Sequence, residues 1–135
     1  MRISELPVKV SLEEKRFLME AGYILMEEGR YDEAIATFQG ALPLVEEKFH
    51  PLLGIGSARF WQARYDDAIT AYEEVLHRNP NWALGYAHLG EALAFGGHKQ
   101  EADLALRRAV ELDPAGKQGG DVARNIQRLM AHGLI

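Results

Sequence analysis

The chain has 135 residues, 47% of them hydrophobic, with 20 acidic and 15 basic residues and a formal net charge of −5. It contains no cysteine, which excludes disulfides, thiolate zinc sites and cysteine nucleophiles. The acidic balance argues against a nucleic-acid partner, whose phosphates call for a basic stripe. The length is that of one domain able to bury a core of its own. No stretch approaches the roughly 20 apolar residues that cross a bilayer. MRISELPVKV, at the start, lacks the apolar run of a secretory signal. The expected location is therefore the cytoplasm, without membrane contact.

Residues 1–14 form an N-terminal extension. Its first ten have no periodicity and read as a flexible arm or a partner-binding strand. Ser11 with Glu14 three residues on is a capping-box signature for a first helix. A repeat then takes over. GRYDEAIATF at residues 29–38 returns as ARYDDAITAY at 63–72, and again, more faintly, as GHKQEADLAL at 97–106. The spacing defines three units of equal length, 15–48, 49–82 and 83–116, with no gaps. In register, Gly22, Gly56 and Gly90 share one position; Ala34, Ala68 and Ala102 a second; Phe38, Tyr72 and Leu106 a third; Leu18, Leu52 and Tyr86 a fourth.

Each unit reads as two helices. In the first, Phe17, Leu18, Ala21 and Leu25 recur at three- and four-residue steps. After the polar break at EEGRYDEA, a second helix carries Ala34, Ile35, Phe38, Ala41 and Leu42, and Pro43 is expected to kink it. The second unit carries Ala68, Tyr72, Val75 and Leu76. Pro80 and Pro114 end the second helix of their units, because proline has no amide donor and clashes with the turn before it. Glycine and alanine at facing positions let the two helices approach closely. Asp32, Glu33, Asp66 and Asp67 open second helices, where they favour the positive dipole end by a few tenths to about 1 kcal/mol; this explains them without acid–base chemistry. After Pro114 comes a flexible link, AGKQGG at residues 115–120, and residues 117–135 read as the linker and a last helix N-capped by Asp121, with Val122, Ile126, Leu129 and Met130 on one face and Gly133 ending it. That helix caps the array or swings out to a partner.

A period of this length means stacked hairpins that bury one another's faces. The pattern resembles the tetratricopeptide repeat, over residues 15–116. Tyr86, Leu89, Gly90, Leu93, Gly97, Ala102, Leu106, Ala109 and Pro114 carry the resemblance in the third unit, and Leu52, Ile55, Gly56, Tyr65, Ala68, Tyr72 and Pro80 in the second. The first unit keeps Leu18, Gly22, Leu25, Gly29, Tyr31, Ala34, Phe38 and Ala41. It departs at Glu46, where the other units have Pro80 and Pro114. In the second unit Ala63 stands where the turn glycine belongs.

The resemblance implies an all-α, right-handed solenoid of three hairpins with a C-terminal capping helix. It implies a concave groove lined by Arg16, Met19, Tyr23, Met26 and Glu27 in unit one, His50, Leu53, Ser57, Phe60 and Trp61 in unit two, and Leu84, Ala87, Glu91, Ala94 and Phe95 in unit three. Leu53 and Ala87 serve either this groove or the inter-repeat core. Phe60 and Trp61, neighbours about 100° apart on a helix, cannot both sit deep on one face. Met19 and Tyr23 stand where some family members place a basic clamp for the terminal carboxylates of heat-shock chaperones, which disfavours that ligand. An apolar extended or helical segment of another protein fits the list better, and the exposed aromatics allow a homodimer. His50, His77, His88, His98 and His132 form no metal-ligand or catalytic spacing. No metal, cofactor or enzyme activity is expected. The role is an adaptor or chaperone, with two alternatives: a chaperone like those of type III secretion translocators, or a scaffold subunit working through its convex face or last helix.

Overall fold

Ser11 caps the first helix, its Oγ accepting a hydrogen bond from the Glu14 amide at 3.1 Å. The computed structural model describes residues 10–135. The reading of the first ten residues as an arm or strand falls, up to residue 9, outside them. Seven α-helices follow in order: α1 Leu12–Glu27, α2 Tyr31–Ala41, α3 Phe49–Trp61, α4 Tyr65–Arg78, α5 Ala83–Phe95, α6 Lys99–Leu112 and α7 Gly120–Ala131. No strand occurs among the described residues. α1 with α2, α3 with α4 and α5 with α6 form hairpins; α2 packs on α3, α4 on α5, and α7 on both α5 and α6. The result is an all-α solenoid of helical hairpins. Each helix is too short to be stable alone in water, so stacking supplies the stability.

The turn inside each hairpin is the same device three times. Gly29, Ala63 and Gly97 adopt φ of 75°, 60° and 87°. The next amide reaches back to close the helix: Arg30 to the Leu25 carbonyl at 2.9 Å, Arg64 to Arg59 at 2.9 Å, His98 to Leu93 at 2.8 Å. This is the glycine-type C-cap. Ala63 holds it without glycine, at a cost of about 1–2 kcal/mol for a left-handed alanine.

Glycines on the first helix of each hairpin meet the large residue of the second. A Cβ on Gly56 would lie 2.6 Å from the Tyr72 ring, and one on Gly90 2.5 Å from a Leu106 methyl. Gly22 abuts the Phe38 ring in the same way, and Gly54 of the next hairpin closes on that ring from the other side. Phe38 is therefore wholly buried between two hairpins. The opening aspartates of the second helices also bridge units: Gln62 donates to Asp32 at 2.8 Å, and His98 Nε2 lies 3.6 Å from Asp66. Their role thus exceeds the dipole effect expected of them.

Two expectations need correction. Pro43 does not kink α2; the helix ends at Ala41 and a 3₁₀ turn, Leu42–Leu44, follows. Lys48 donates to the carbonyls of Leu42, at 2.6 Å, and Val45, at 3.1 Å. Nor is AGKQGG a loose link capped by Asp121. Asp113 folds over it, accepting from the amides of Gln118 at 2.6 Å, Gly120 at 3.0 Å and Gly116 at 3.3 Å. Arg124 ties down the Pro114 carbonyl at 2.7 Å. Gly119, at φ 123°, brings the backbone so near Leu84 that a Cβ would lie 2.7 Å from its Cα. Asp121 lies in the first turn of α7 and pairs with Arg124. α7 buries Ala123 and Ile126 and ends at Gly133, φ 67°.

At the other end, the outer face of α1 leaves Phe17 and Ile24 exposed. Their counterparts one and two units on, Pro51 and Ala58, Gly85 and Ala92, are all buried under the preceding hairpin.

Gly56→Val is expected to lower the unfolding free energy by about 1–3 kcal/mol through overpacking. Gly40→Ala, in an exposed part of α2 with nothing near its missing Cβ, should raise it by roughly 0.5–1 kcal/mol. Denaturant titration reads both. The three amides hold the Asp113 carboxyl below its usual pKa. A depressed pKa stabilises the fold fully above the unfolded-state value, about pH 4, and that contribution disappears as pH falls through the lower folded-state value. Asp113→Asn should therefore melt lower at pH 7 and lose less on acidification below pH 4 than the parent chain.

Candidate protein-binding groove

α1, α3 and α5 are the first helices of their hairpins; α3 lies between α2 and α4 and α5 between α4 and α6, while α1 packs on α2 and touches α3. Their remaining free side carries the residues picked out from the repeat. The structure sorts these residues by depth. Arg16, Tyr23, Glu27, His50, Trp61 and Phe95 are exposed; Met19, Met26, Ser57, Leu84 and Glu91 are half-buried; Leu53, Phe60, Ala87 and Ala94 are buried. Trp61 is 64% exposed and Phe60 only 8%, which resolves the choice between those neighbours. Phe60, Leu53 and Ala87 thus belong to the floor beneath the groove. Leu12, 70% exposed, precedes Met19 and Tyr23 by seven and eleven residues and extends the same line.

Phe60 sits beneath a cluster of rings. Its centroid is 5.3 Å from Phe95, 5.5 Å from Tyr65 and 5.6 Å from Trp61, all edge-to-face. Such pairs add about 0.5–1.5 kcal/mol each beyond area burial. Below the middle of the groove, Ser57 Oγ and the Tyr72 hydroxyl share a hydrogen bond at 3.1 Å. Burial pushes the Tyr72 hydroxyl far above its usual pKa, so it stays neutral and the hydrogen bond is retained over the working pH range. Tyr72 stacks on His88 at 5.6 Å, and His88 Nδ1 lies 3.7 Å from Glu91. Partial burial also raises the Tyr23 pKa.

At the joint of the first two hairpins the groove deepens into a hollow of about 330 Å³, lined by Tyr23, Met26, Glu27, Tyr31 and Trp61. The structure thus brings together Tyr23, Met26, Glu27 and Trp61 from the expected set. Tyr31 was missed, because it opens α2 and the groove was read from first helices alone. Its signal was present: Tyr31 and Tyr65 share a repeat position. A larger hollow, about 590 Å³, lies on the outer face of α1 between Val10, Phe17 and Leu44, away from the groove. Among the described residues at the groove positions, Arg16 and His50 are the basic ones, and they lie on different helices. Among the described residues no cluster of three His, Asp or Glu could hold a metal ion, and no helix is long and apolar enough to cross a membrane.

A helical-hairpin stack with this repeat defines a class of interaction domain, and two models described as tetratricopeptide repeat match residues 25–87 and 83–115. The chain belongs to the tetratricopeptide repeat family. Heat shock protein STI1 of Saccharomyces cerevisiae is 33% identical over 102 residues, 73% of this chain and 17% of that protein. The Hsp70-Hsp90 organizing protein of Triticum aestivum is 34% identical over 88 residues, 64% and 15% of the two chains. The chain therefore spans less than a fifth of these relatives. Among solved structures, PcrH in complex with the chaperone binding region of PopB superposes with a TM-score of 0.80 at 20% identity, over 91% of this chain and 99% of that one. The translocator chaperone SycD of Yersinia enterocolitica gives 0.78 at 24%, over 86% and 89%. The first tetratricopeptide domain of Spaghetti (RPAP3) bound to the HSP90 peptide SRMEEVD gives 0.74 at 22%, over 93% and 99%. These likenesses establish the fold.

Because Phe60 is buried and Trp61 is not, truncating them should separate cleanly. Phe60→Ala is expected to cost about 3–5 kcal/mol of stability, and Trp61→Ala about 0.5–1.5 kcal/mol, the worth of its edge-to-face pair with Phe60, in urea unfolding. Trp61→Ala is therefore the variant for testing binding.

Proposed function

We propose that the chain is a non-catalytic module that holds an apolar, extended or helical segment of another protein along the groove of α1, α3 and α5, as an adaptor or chaperone. The observation that carries this reading is the line of exposed Tyr23, Trp61 and Phe95 beside half-buried Met19 and Met26. Rings supply large contact area at little entropic cost, and methionine adapts to irregular partners. An exposed stripe of this kind marks an interaction surface. The relatives support the class: one carries the name Hsp70-Hsp90 organizing protein, and two structural neighbours hold a segment of another protein.

The groove's chemistry favours an apolar over an acidic ligand. SRMEEVD, the peptide bound by the RPAP3 domain, brings three acidic side chains, and a C-terminal carboxylate where it ends the chain. Here the basic Arg16 and His50 share the groove positions with the acidic Glu27 and Glu91. A cytoplasmic chaperone of the secretion-translocator type is the second reading. PcrH and SycD favour it, since the likeness runs over nearly the whole of those chains, whereas STI1 is matched over a small part.

A displayed library of random peptides, selected on the parent chain and on Trp61→Glu, tests the proposal. The parent should enrich apolar sequences, which bind Trp61→Glu at least about 10-fold more weakly, a loss of about 1.4 kcal/mol. SRMEEVD should show no heat of binding by calorimetry. Peptides held equally by both proteins would move the function to the convex face or α7, and tight binding of SRMEEVD would overturn the ligand class.

A further inference from the structure

The hollow at the first joint has a counterpart at the second joint, one repeat length on, and the two differ in the residues that fill them. At the second joint Tyr65 and Phe95 stand 6.1 Å apart, and the Phe60 ring packs edge-on against both, 5.5 Å from one and 5.3 Å from the other, closing a three-ring cluster. At the first joint the residues at the same repeat positions are Tyr31, Trp61 and Met26. The two aromatic walls recur at both joints; the third ring does not. Met26 is slender and flexible where Phe60 is broad and rigid. A hollow of about 330 Å³ stands there, with Tyr23 as an added wall where the next unit has Ser57.

We propose that this hollow is the receptor for one aromatic side chain, Phe, Tyr or Trp, of the bound segment, which takes the place that Phe60 occupies at the second joint. The inference rests on the groove reading above and deepens it to an anchor residue. The protein's own second joint is the template for the occupant. Edge-to-face contact with Tyr31 and Trp61 favours a ring over an aliphatic group of similar area, and Met26 shifts to admit it. Glu27 at the rim is exposed and needs no burial. An anchor in a hollow of this kind dominates an interface.

The experiment uses the full chain and two model compounds, N-acetyl-phenylalaninamide and N-acetyl-leucinamide, followed by amide and indole NMR shifts. The phenyl compound should move the Trp61 indole signal and the amides of Met26 and Tyr31, and bind several-fold more tightly than the leucyl one. Met26→Phe should fill the hollow from within: the variant keeps or raises the parent melting temperature and loses those shifts. Trp61→Ala, which removes a wall, should lose them too and serves if Met26→Phe misfolds. Equal binding of both compounds, or phenyl shifts that persist in either variant, would overturn the inference.

The library selection keeps the two readings apart. Enriched peptides should share one aromatic residue whose change to alanine weakens binding about 30-fold, the effect of losing a 2 kcal/mol anchor. Trp61-dependent peptides with aliphatic anchors that still bind Met26→Phe would leave the groove standing and remove the aromatic receptor. Phenyl shifts abolished by Met26→Phe, with no Trp61-dependent peptide, would do the reverse.

Discussion

A bare glycine backbone against a large side chain sets the spacing of the array. Gly22 and Gly54 clasp Phe38 from two hairpins, Gly56 meets Tyr72, and Gly90 meets Leu106. A single added methyl group at these points would overlap the ring or branched side chain opposite. Because the helices approach so closely, dispersion contacts are dense there, and voids are few. The same closeness makes α3 and α5 apolar on nearly every side, since each is covered by the second helices before and after it. Only one strip of each is left uncovered, and that strip is where the candidate site lies.

The architecture was legible because steric matching repeats. A position that must be glycine for one hairpin must be small for all, and the residue facing it must be large. The periodic set Gly22, Gly56 and Gly90 against Phe38, Tyr72 and Leu106 therefore survived as a pattern even where other positions drifted. Helix ends governed by short-range chemistry were legible too: Ser11 with Glu14, and the stops before Pro80 and Pro114. What the pattern hid depends on where the chain returns in space. Asp113 reaches the amide of Gly120, seven residues on, whereas the acid nearest that helix start, Asp121, pairs with Arg124. Local signals rank acids by proximity along the chain, and the fold selected one by reach. At Pro43, removal of one amide donor was readable, while the choice between kink and stop, and the Lys48 contact with the Leu42 and Val45 carbonyls beyond the helix end, were not.

The groove was legible as a list but not as a surface. The list came from repeat positions, which say on which side of a helix a residue lies. Depth depends on the neighbouring unit, which is why Phe60 became floor and Trp61 rim. It also explains the omission of Tyr31. Its helix belongs to the outer layer, yet its first turn lies beside Met26 of its own unit and Trp61 of the next. A hollow stands where Met26 and Tyr23 take the repeat positions that Phe60 and Ser57 hold at the filled joint.

Burial is uneven along the stack. Gly22 is the only buried residue of α1, whereas α3 buries eight of its thirteen. The hollow lies where this lightly anchored helix meets the better-anchored α3. A segment seated there touches Tyr23 and Met26 on one wall and Trp61 on the other, so it does for α1 part of what a neighbouring repeat does for α3. Amide protons of α1 would exchange fastest in the empty protein and slow most on binding, because local opening follows the contacts each unit holds. In a quasi-one-dimensional array, order gained at one end passes inward only through nearest neighbours. A segment bound as proposed would tie α1 to α3 across the joint, and occupancy would be recorded as a change in how far the ordered stack extends.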